Sequence, residues 1–302
     1  MLTRRAFLRG LAGIGGAFFA GGAYGFGVEP HLRLRVQRWQ VSPPGWTAGP
    51  LRIVALADPH LGKPFMGAER LARIVERANA LEPDLIVLLG DYVASHPLVL
   101  EKVPSATTAA VFRGLEAPLG VHVIMGNHDW WDDAEIQVRR TGRPAMQRVY
   151  EAAGLSVLHN AAVRIGEGAG AFWLLGLGSQ IAYVQTWDPV NRRVLPRAGV
   201  DDLEGTLAQV TDTAPAILLA HEPDIFPRVP DRVSLTLSGH THGGQVRILG
   251  YAPVVPSRYG NRFAYGHIVE EDRHLVVSGG LGCSVAPLRF GSPPEITVIE
   301  LG

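Results

Sequence analysis

Five apolar runs of strand length end in the same way, and this repetition limits what the chain can fold into more than any other feature. Leu51–Ala57 runs into Asp58 and His60, Leu85–Leu89 into Gly90 and Asp91, and Val121–Met125 into Asn127, His128 and Asp129. Ala216–Ala220 runs into His221, and Val233–Leu237 into His240 and His242. Continuous apolar runs suit strands buried on both faces of a layered α/β fold. Between the first two, Leu71, Ile74, Val75, Ala78 and Leu81 recur at helical spacing, and Pro83 closes the segment. Weaker helical patterns cover 107–115, 145–153 and 203–210. Strands alternating with helices imply βαβ-type connections, whose ligands bind beyond the carboxyl ends of the strands. All five polar clusters are therefore expected along one edge.

The content of those clusters indicates chemistry. They supply the carboxylates Asp58 and Asp91, the amide Asn127 and five of the chain's 11 histidines. His240 and His242 flank Thr241, so in an extended segment their rings point the same way. Taken alone, His-x-His fits a polar turn after a strand as well as it fits a metal grip. Asp58, Asp91 and Asn127 could likewise be helix N-caps, a role that explains one cluster well and five poorly. One ion cannot use so many donors, whereas two ions sharing a carboxylate can. Mixed imidazole and oxygen donors suit Mn, Fe or Zn better than Mg or Ca.

Asp58-x-His60, Gly90-Asp91, Gly126-Asn127-His128-Asp129, His221 and Gly239-His240-Thr241-His242 together resemble the signature of the calcineurin-like metallophosphoesterases, in order and in spacing. The likeness runs from about Leu51 to the C-terminus. "GHTHGGQ" and "GLGCSVAPLRFGSPPEI" look like the branch of exported bacterial phosphoesterases and phosphodiesterases with twin-arginine signals. The resemblance implies a four-layer α/β/β/α sandwich of two mixed sheets, with a dinuclear metal site at the strand ends. It implies that Asp58, His60, Asp91 and His242 hold one ion, and that Asp91, Asn127, His221 and His240 hold the other, with Asp91 bridging. His128 is then the group that contacts phosphate and protonates the leaving oxygen, with Asp129 orienting its ring. The implied reaction is hydrolysis of a phosphodiester or phosphomonoester by a metal-bridging hydroxide. A pyrophosphate hydrolase acting on a nucleotide-linked lipid precursor, of the UDP-diacylglucosamine type, is the rival within enzymes. A non-catalytic adaptor on the same fold is the rival outside them.

Substrate selection falls to loops above the strand ends. Arg258, Tyr259 and Arg289 are the candidates for phosphate contact, since arginine binds phosphate through paired hydrogen bonds. Trp130, Trp131, Arg139, Arg140, Arg143 and Arg262 share those loops without a role that the sequence can assign. The later runs "VRILG", "AYGHIVEE", "HLVVSGG" and "EITVIEL" read as antiparallel strands completing the second sheet.

The N-terminus is set apart. Arg4, Arg5 and Arg9 precede a stretch with no charge until Glu29, and Arg4-Arg5 followed by Phe7 and Leu8 resembles a twin-arginine signal. The expected organisation is a signal peptide or N-terminal anchor over 1–27, cleavage after Ala23 being favoured, then a lead-in over 28–50 and the catalytic domain over 51–302. The expected location is the periplasm, cell wall or outer face of the inner membrane, reached through the twin-arginine machinery. The uncharged stretch also leaves membrane association through the N-terminus open. With 302 residues, 47% of them hydrophobic, the chain can bury a full core. Its 28 basic residues balance its 28 acidic ones, which gives no field for nucleic acid. A single cysteine, Cys283, excludes an internal disulfide and reads as a small buried side chain.

Overall fold

The computed structural model describes residues 3–5, 15–16, 19–94, 96–188 and 190–302. About half of the expected signal segment, residues 1–2, 6–14 and 17–18, therefore lies outside the described residues. Among the described residues, no helix is long and apolar enough to cross a membrane.

Twelve strands make two six-stranded sheets. In chain order they are β1 (Arg35–Val41), β2 (Leu51–Leu56), β3 (Leu85–Leu88), β4 (Val121–Val123), β5 (Ser156–Val157), β6 (Ala161–Ile165), β7 (Phe172–Gly176), β8 (Ala216–Leu219), β9 (Val233–Ser238), β10 (Gly266–Glu270), β11 (Arg273–Val277) and β12 (Glu295–Leu301). The first sheet has the order β1-β12-β2-β3-β4-β5 and the second β10-β11-β9-β8-β7-β6. Strands β2, β3 and β4 run parallel, as do β7, β8, β9 and β11. Each sheet is mixed, because β12 is antiparallel to β2, β10 to β11 and β6 to β7.

Period-two side-chain alternation builds the layers. Ile53, Ala55, Leu85 and Val87 point into the core between the sheets, where they meet Leu174, Ile217, Leu219, Leu235 and Leu237. Their neighbours Val54, Leu56, Ile86 and Leu88 point outward, against helices. These are α1 (Ala68–Asn79), α2 (Ser105–Phe112) and α5 (Ala145–Ala152), with the short α3 (Asn127–Trp131) and α4 (Ala134–Arg139) between. On the far side, α6 (Leu203–Leu207) covers the outer face of the second sheet through Leu203. The result is the expected α/β/β/α sandwich.

Three expectations give way. "EITVIEL" does not complete the second sheet; β12 lies in the first, between β1 and β2. "VRILG" is no sheet strand but a turn, with bridges from Val246 to Phe290 and from Ile248 to Tyr251. The segment 28–50 is more than a lead-in, because β1 pairs along its full length with β12, from Arg35 to Val41. Alternation identifies a strand but not its neighbours, and β1 carries Arg35 and Arg38 on a half-exposed edge, which hides its pattern.

Candidate metal centre

All five parallel strands named at the outset deliver their polar clusters to one edge of the sandwich. The backbone there is tightly constrained. Asp58, His60, Asp91, His240 and His242 all have positive φ, between 43° and 69°. Non-glycine residues rarely adopt this left-handed region, though Asp and His tolerate it better than most. Strands β2, β3 and β9 thus each run into left-handed turns at their donor residues, while Asn127, His128 and His221 follow β4 and β8 without one. Backbone bonds lock the reversals: Asp58 N–H donates to Gly90 O (3.1 Å), His60 N–H to Asp91 O (3.1 Å) and Gly239 N–H to His221 O (3.0 Å).

Glycines give the clusters room to meet. A Cβ at Gly126 would lie 2.3 Å from Asp91 Oδ1, and one at Gly282 2.2 Å from Pro59 O. Gly280, at φ +71°, backs Asp58, and a Cβ there would lie 2.9 Å from Asp58 Oδ2. The supporting role of the C-terminal "GGLG" loop was not legible in the sequence, since it contributes space rather than functional groups.

Among the described residues, three groups of donors have ligand atoms within 4.8 Å of one another: Asp58, His60 and His242; His60, Asp91 and His128; Asp91, His221 and His240. Asp91 is the hinge. Its Oδ2 lies 3.1 Å from His221 Nε2, 3.6 Å from His60 Nε2 and 4.0 Å from His128 Nε2, while Oδ1 accepts the His128 N–H (2.8 Å). Asn127 Oδ1 is 3.1 Å from His221 Nε2.

The donor set fits divalent cations on grounds of hydrogen bonding alone. His60 and His221 face the carbonyls of Val93 (3.0 Å) and Leu89 (2.6 Å) through Nδ1. A carbonyl only accepts, so Nδ1 carries a proton in both; Nε2 presents a lone pair in neutral His60, and in His221 it is the nitrogen whose proton a cation would displace. His240 is reversed: Nε2 donates to Pro256 O (2.8 Å), which leaves Nδ1 buried with no hydrogen-bond partner. Asn127 Oδ1 and Asp91 Oδ2 both face His221 Nε2, so without a cation that nitrogen keeps a proton, and a cation would take the proton's place. His242 differs from the rest. Arg289 Nη2 can only donate, and it lies 3.2 Å from His242 Nδ1, so the neutral ring's proton sits on Nε2, facing His60 Nε2 at 3.1 Å. Ligation through Nε2 requires the neutral ring to move its proton to Nδ1, away from its present contact with Arg289.

Electrostatics follows from burial. Burial, then the charge of Asp91, pushes Asp58 up to about 7. Burial, with His128 nearby, lowers His60 to about 3, and burial with His221 lowers His240 to about 4. His221 is the exception: burial acts to lower it, but the charge and hydrogen bond of Asp91, joined by Glu222 and Asp58, together hold it well above the imidazole range. His128 is lowered by burial while Asp91 pulls the other way, and its side chain retains 12% exposure where the flanking donors have almost none.

Other expectations meet mixed outcomes. Asp129 does not turn toward the His128 ring. From the third position of α3 its carboxylate folds back to accept Gly126 N–H (2.8 Å) and Asp91 N–H (2.9 Å) on Oδ2, and Tyr92 N–H (2.8 Å) on Oδ1. It fixes the loop that carries Asp91. Arg289 is wholly buried, with its donors spent on Gly282 O, Ser292 O and His242, so it backs a donor and does not face substrate. Arg258 lines a cleft of about 470 Å³ beside His240, together with Trp131, Arg197, Glu222 and Asp224, and pairs with Asp224 (3.2 Å). Tyr259 packs edge-on against Phe263, outside that lining. Trp130 is core, whereas the Trp131 ring stands 4.8 Å from His128. Arg139 and Arg143 pair with Glu135 and Glu151 on the surface. Arg140 donates to Val184 O, and Arg262 pairs with Glu270.

Sequence reasoning missed Glu222, Arg197 and Ser284. Glu222 is buried beside His221, accepts from Ser179 Oγ (2.5 Å) and Gln180 N (2.9 Å), and is raised by burial. Ser284 Oγ lies 3.4 Å from His128 Nε2. Glu222 could have been read from its place next to His221; the other two carry no signal.

The sequence profile of the calcineurin-like phosphoesterases matches residues 51–244. The chain belongs to that family. It is therefore a metal-dependent phosphohydrolase. An uncharacterized metallophosphoesterase of Bacillus subtilis, YkuE, is 33% identical over 99% of this chain and 98% of its own. The phosphodiesterase YaeI of Escherichia coli is 30% identical over 84% of this chain and 83% of its own. A transmembrane protein with a metallophosphoesterase domain from Bos taurus is 33% identical over 83% of this chain, but the phosphoesterase spans only about half of that relative's length (53%).

Proposed function

We propose that this phosphoesterase uses two metal ions to hydrolyse phosphodiester bonds, with phosphomonoesters as the lesser substrates, outside the cytoplasm. The observation that carries the reading is Asp91, whose carboxylate reaches two donor groups at once. Asp58, His60, Asp91 and His242 would hold one ion and Asp91, Asn127, His221 and His240 the other, with Mn, Fe or Zn the fitting metals. Bound there, the ions would supply positive charge against phosphate and a water of lowered pKa.

The protein's own groups do the rest. Asp129 and the His128 N–H fix Asp91 from two sides. His128 stands at the open edge and can give a proton from Nε2 to the leaving oxygen as the P–O bond breaks and water supplies the new hydroxyl. Arg258 and Arg197 line the adjacent cleft and bring positive charge to a phosphate ester, while Trp131 offers it an apolar wall. The diester preference is supported by the likeness to YaeI, a phosphodiesterase. The exposed apolar side chains Leu249, Tyr251 and Val254, just before the cleft residues 256–258, favour, as second reading, a lipid-linked pyrophosphate. The adaptor is disfavoured by a donor set with no member replaced.

Export rests on Arg4-Arg5 and the uncharged stretch that follows, with residues 1–27 as signal and 51–302 as the catalytic domain. A chromogenic phosphodiester and its monoester, assayed after metal stripping and reloading with Mn, Fe or Zn, test the proposal. Metal-dependent turnover that His128→Ala lowers by about 10²–10⁴-fold, with metal content unchanged, is the expected result. Absence of bound metal under any loading would refute it.

A further inference from the structure

Beside the metal centre, two loops and the N-terminal segment present large apolar side chains to solvent. Ile248, Leu249, Gly250 and Tyr251 form a two-residue hairpin closed by reciprocal bonds between Ile248 and Tyr251 (2.9 and 3.0 Å). Leu249 and Gly250 both have positive φ, the geometry of a tight hairpin turn, which usually recruits Asn-Gly and not leucine. That turn holds Leu249 fully exposed (103%), with Val254 behind it at 76% and Val285 of the neighbouring loop at 81%. The loops are stitched into one surface. Arg247 N–H donates to Phe290 O (2.7 Å), Phe290 N–H to Gln245 O (2.9 Å), and Gln245 Nε2 to Ala286 O and Leu288 O. The N-terminal segment joins them: Arg289 N–H donates to Gly25 O (2.9 Å), and the Tyr24 ring stands edge-on to Phe290, with Phe26 exposed alongside.

We infer that this face seats on a lipid bilayer, with Leu249 at the tip of the contact. Two observations select the bilayer over other partners. Residues 24–28, the end of an uncharged stretch that lies on the chain's side of a cleavage after Ala23, pack on this face through Tyr24 and Gly25, so the apolar surface of the loops continues into the segment most suited to lipid. Neither loop contains an acidic residue from His240 to Arg262 or from Gly279 to Pro294, and Arg247 lies among them, so no carboxylate of the loops themselves opposes anionic headgroups; Arg258 and Arg262 are paired with Asp224 and Glu270 from outside the loops. The same loops carry His242 and Ser284, so the contact brings the mouth of the site to the membrane surface. The inference is independent of the catalytic reading, because lipid contact needs no turnover.

The test uses the full chain with Leu249→Cys carrying an environment-sensitive fluorophore. Native Cys283 is buried, and Glu116→Cys on the opposite sheet edge is the control. On vesicles of phosphatidylethanolamine and phosphatidylglycerol, the label at 249 should shift to the blue and lose emission to a lipid-borne quencher, while that at 116 stays unchanged. Leu249→Asp with Val285→Asp should lower vesicle partitioning about tenfold or more while hydrolysis of a water-soluble ester persists. Absence of vesicle binding overturns the inference. So does binding with a silent label at 249, which would leave the N-terminal segment as the sole contact. A shift at 249 that tracks protein concentration without vesicles would replace the bilayer with a second copy of the chain.

Discussion

Asp129→Asn separates two ways in which a carboxylate beside a histidine can act. In the structure, Oδ2 accepts two N–H groups (Gly126 and Asp91) and Oδ1 accepts one (Tyr92), all at 2.8–2.9 Å and all buried. An asparagine has one oxygen. In the better orientation it keeps the shared pair and turns its NH₂ against Tyr92 N–H, leaving a buried donor facing a donor. A buried group left without its partner costs about 1–3 kcal/mol, and loss of the charge on the other two bonds adds to it. For a domain of this size that is a fall in Tm of roughly 3–8 °C. Because Asp91 N–H is one of the bonds affected, binding of metal should weaken as well. Thermal unfolding of the metal-free chain, with a chelator competition for affinity, reads both. If Tm stays unchanged while the acid limb of the pH–rate profile moves, Asp129 acts on the His128 ring, and the loop-anchoring argument is wrong.

Asp91→Asn should cost both ions, which elemental analysis of the purified variant measures; retention of one would mean that the carboxylate is not shared. Glu29 is buried and accepts Ser292 N–H (2.7 Å) and Gly291 N–H (3.0 Å), while Ser292 Oγ donates to His242 O (3.0 Å), so Glu29→Ala should cost about 2–4 kcal/mol in denaturant unfolding. Metal affinity should decline with falling pH from about 7. Asp58 and His221 are both held above their ordinary values and carry protons that a cation must displace, whereas His60 and His240, at about 3 and 4, are already neutral. A chelator titration between pH 5 and 7 should give a slope of about two protons per site pair, where four unperturbed histidines would give more.

How much was legible in advance depends on what each residue's role requires. The strand-end clusters were readable because donor identity, strand length and helix spacing are local, and the sheets then bring the clusters together without further instruction. Asp129 was misread because adjacency to His128 in sequence says nothing about direction, and the third position of a short helix sends a carboxylate back to the N-cap. Arg289 was misread for the same reason: a charge between Pro287 and Gly291 looks like loop surface, and only packing reveals that its donors satisfy Gly282 and Ser292 carbonyls behind His242. Strand β12 shows the limit for the fold. Its alternation marks a strand, but its place between β1 and β2 is set by long-range pairing that no window of sequence contains.

The left-handed backbone at five donor positions bears on how the site is maintained. Each such residue costs on the order of 1 kcal/mol or more, so the five together consume several kcal/mol of a total stability that for ordinary domains is only about 5–15. The compensation is visible around them. Leu281 N–H donates to Ala57 O (2.9 Å) and Gly282 N–H to Asp58 O (2.8 Å), while Asp58 itself accepts His240 N–H on both oxygens (2.9 and 3.0 Å). The reversals after β2 and β9 therefore hold each other, one from each sheet, and the C-terminal glycine loop closes over both. Because either reversal is favourable only with the other in place, the donors are expected to order together when the two sheets pack, rather than one strand at a time. The two-sheet core is in this sense part of the metal centre: it supplies the energy that keeps Asp58, Asp91 and the paired histidines in a conformation that none of them would adopt alone.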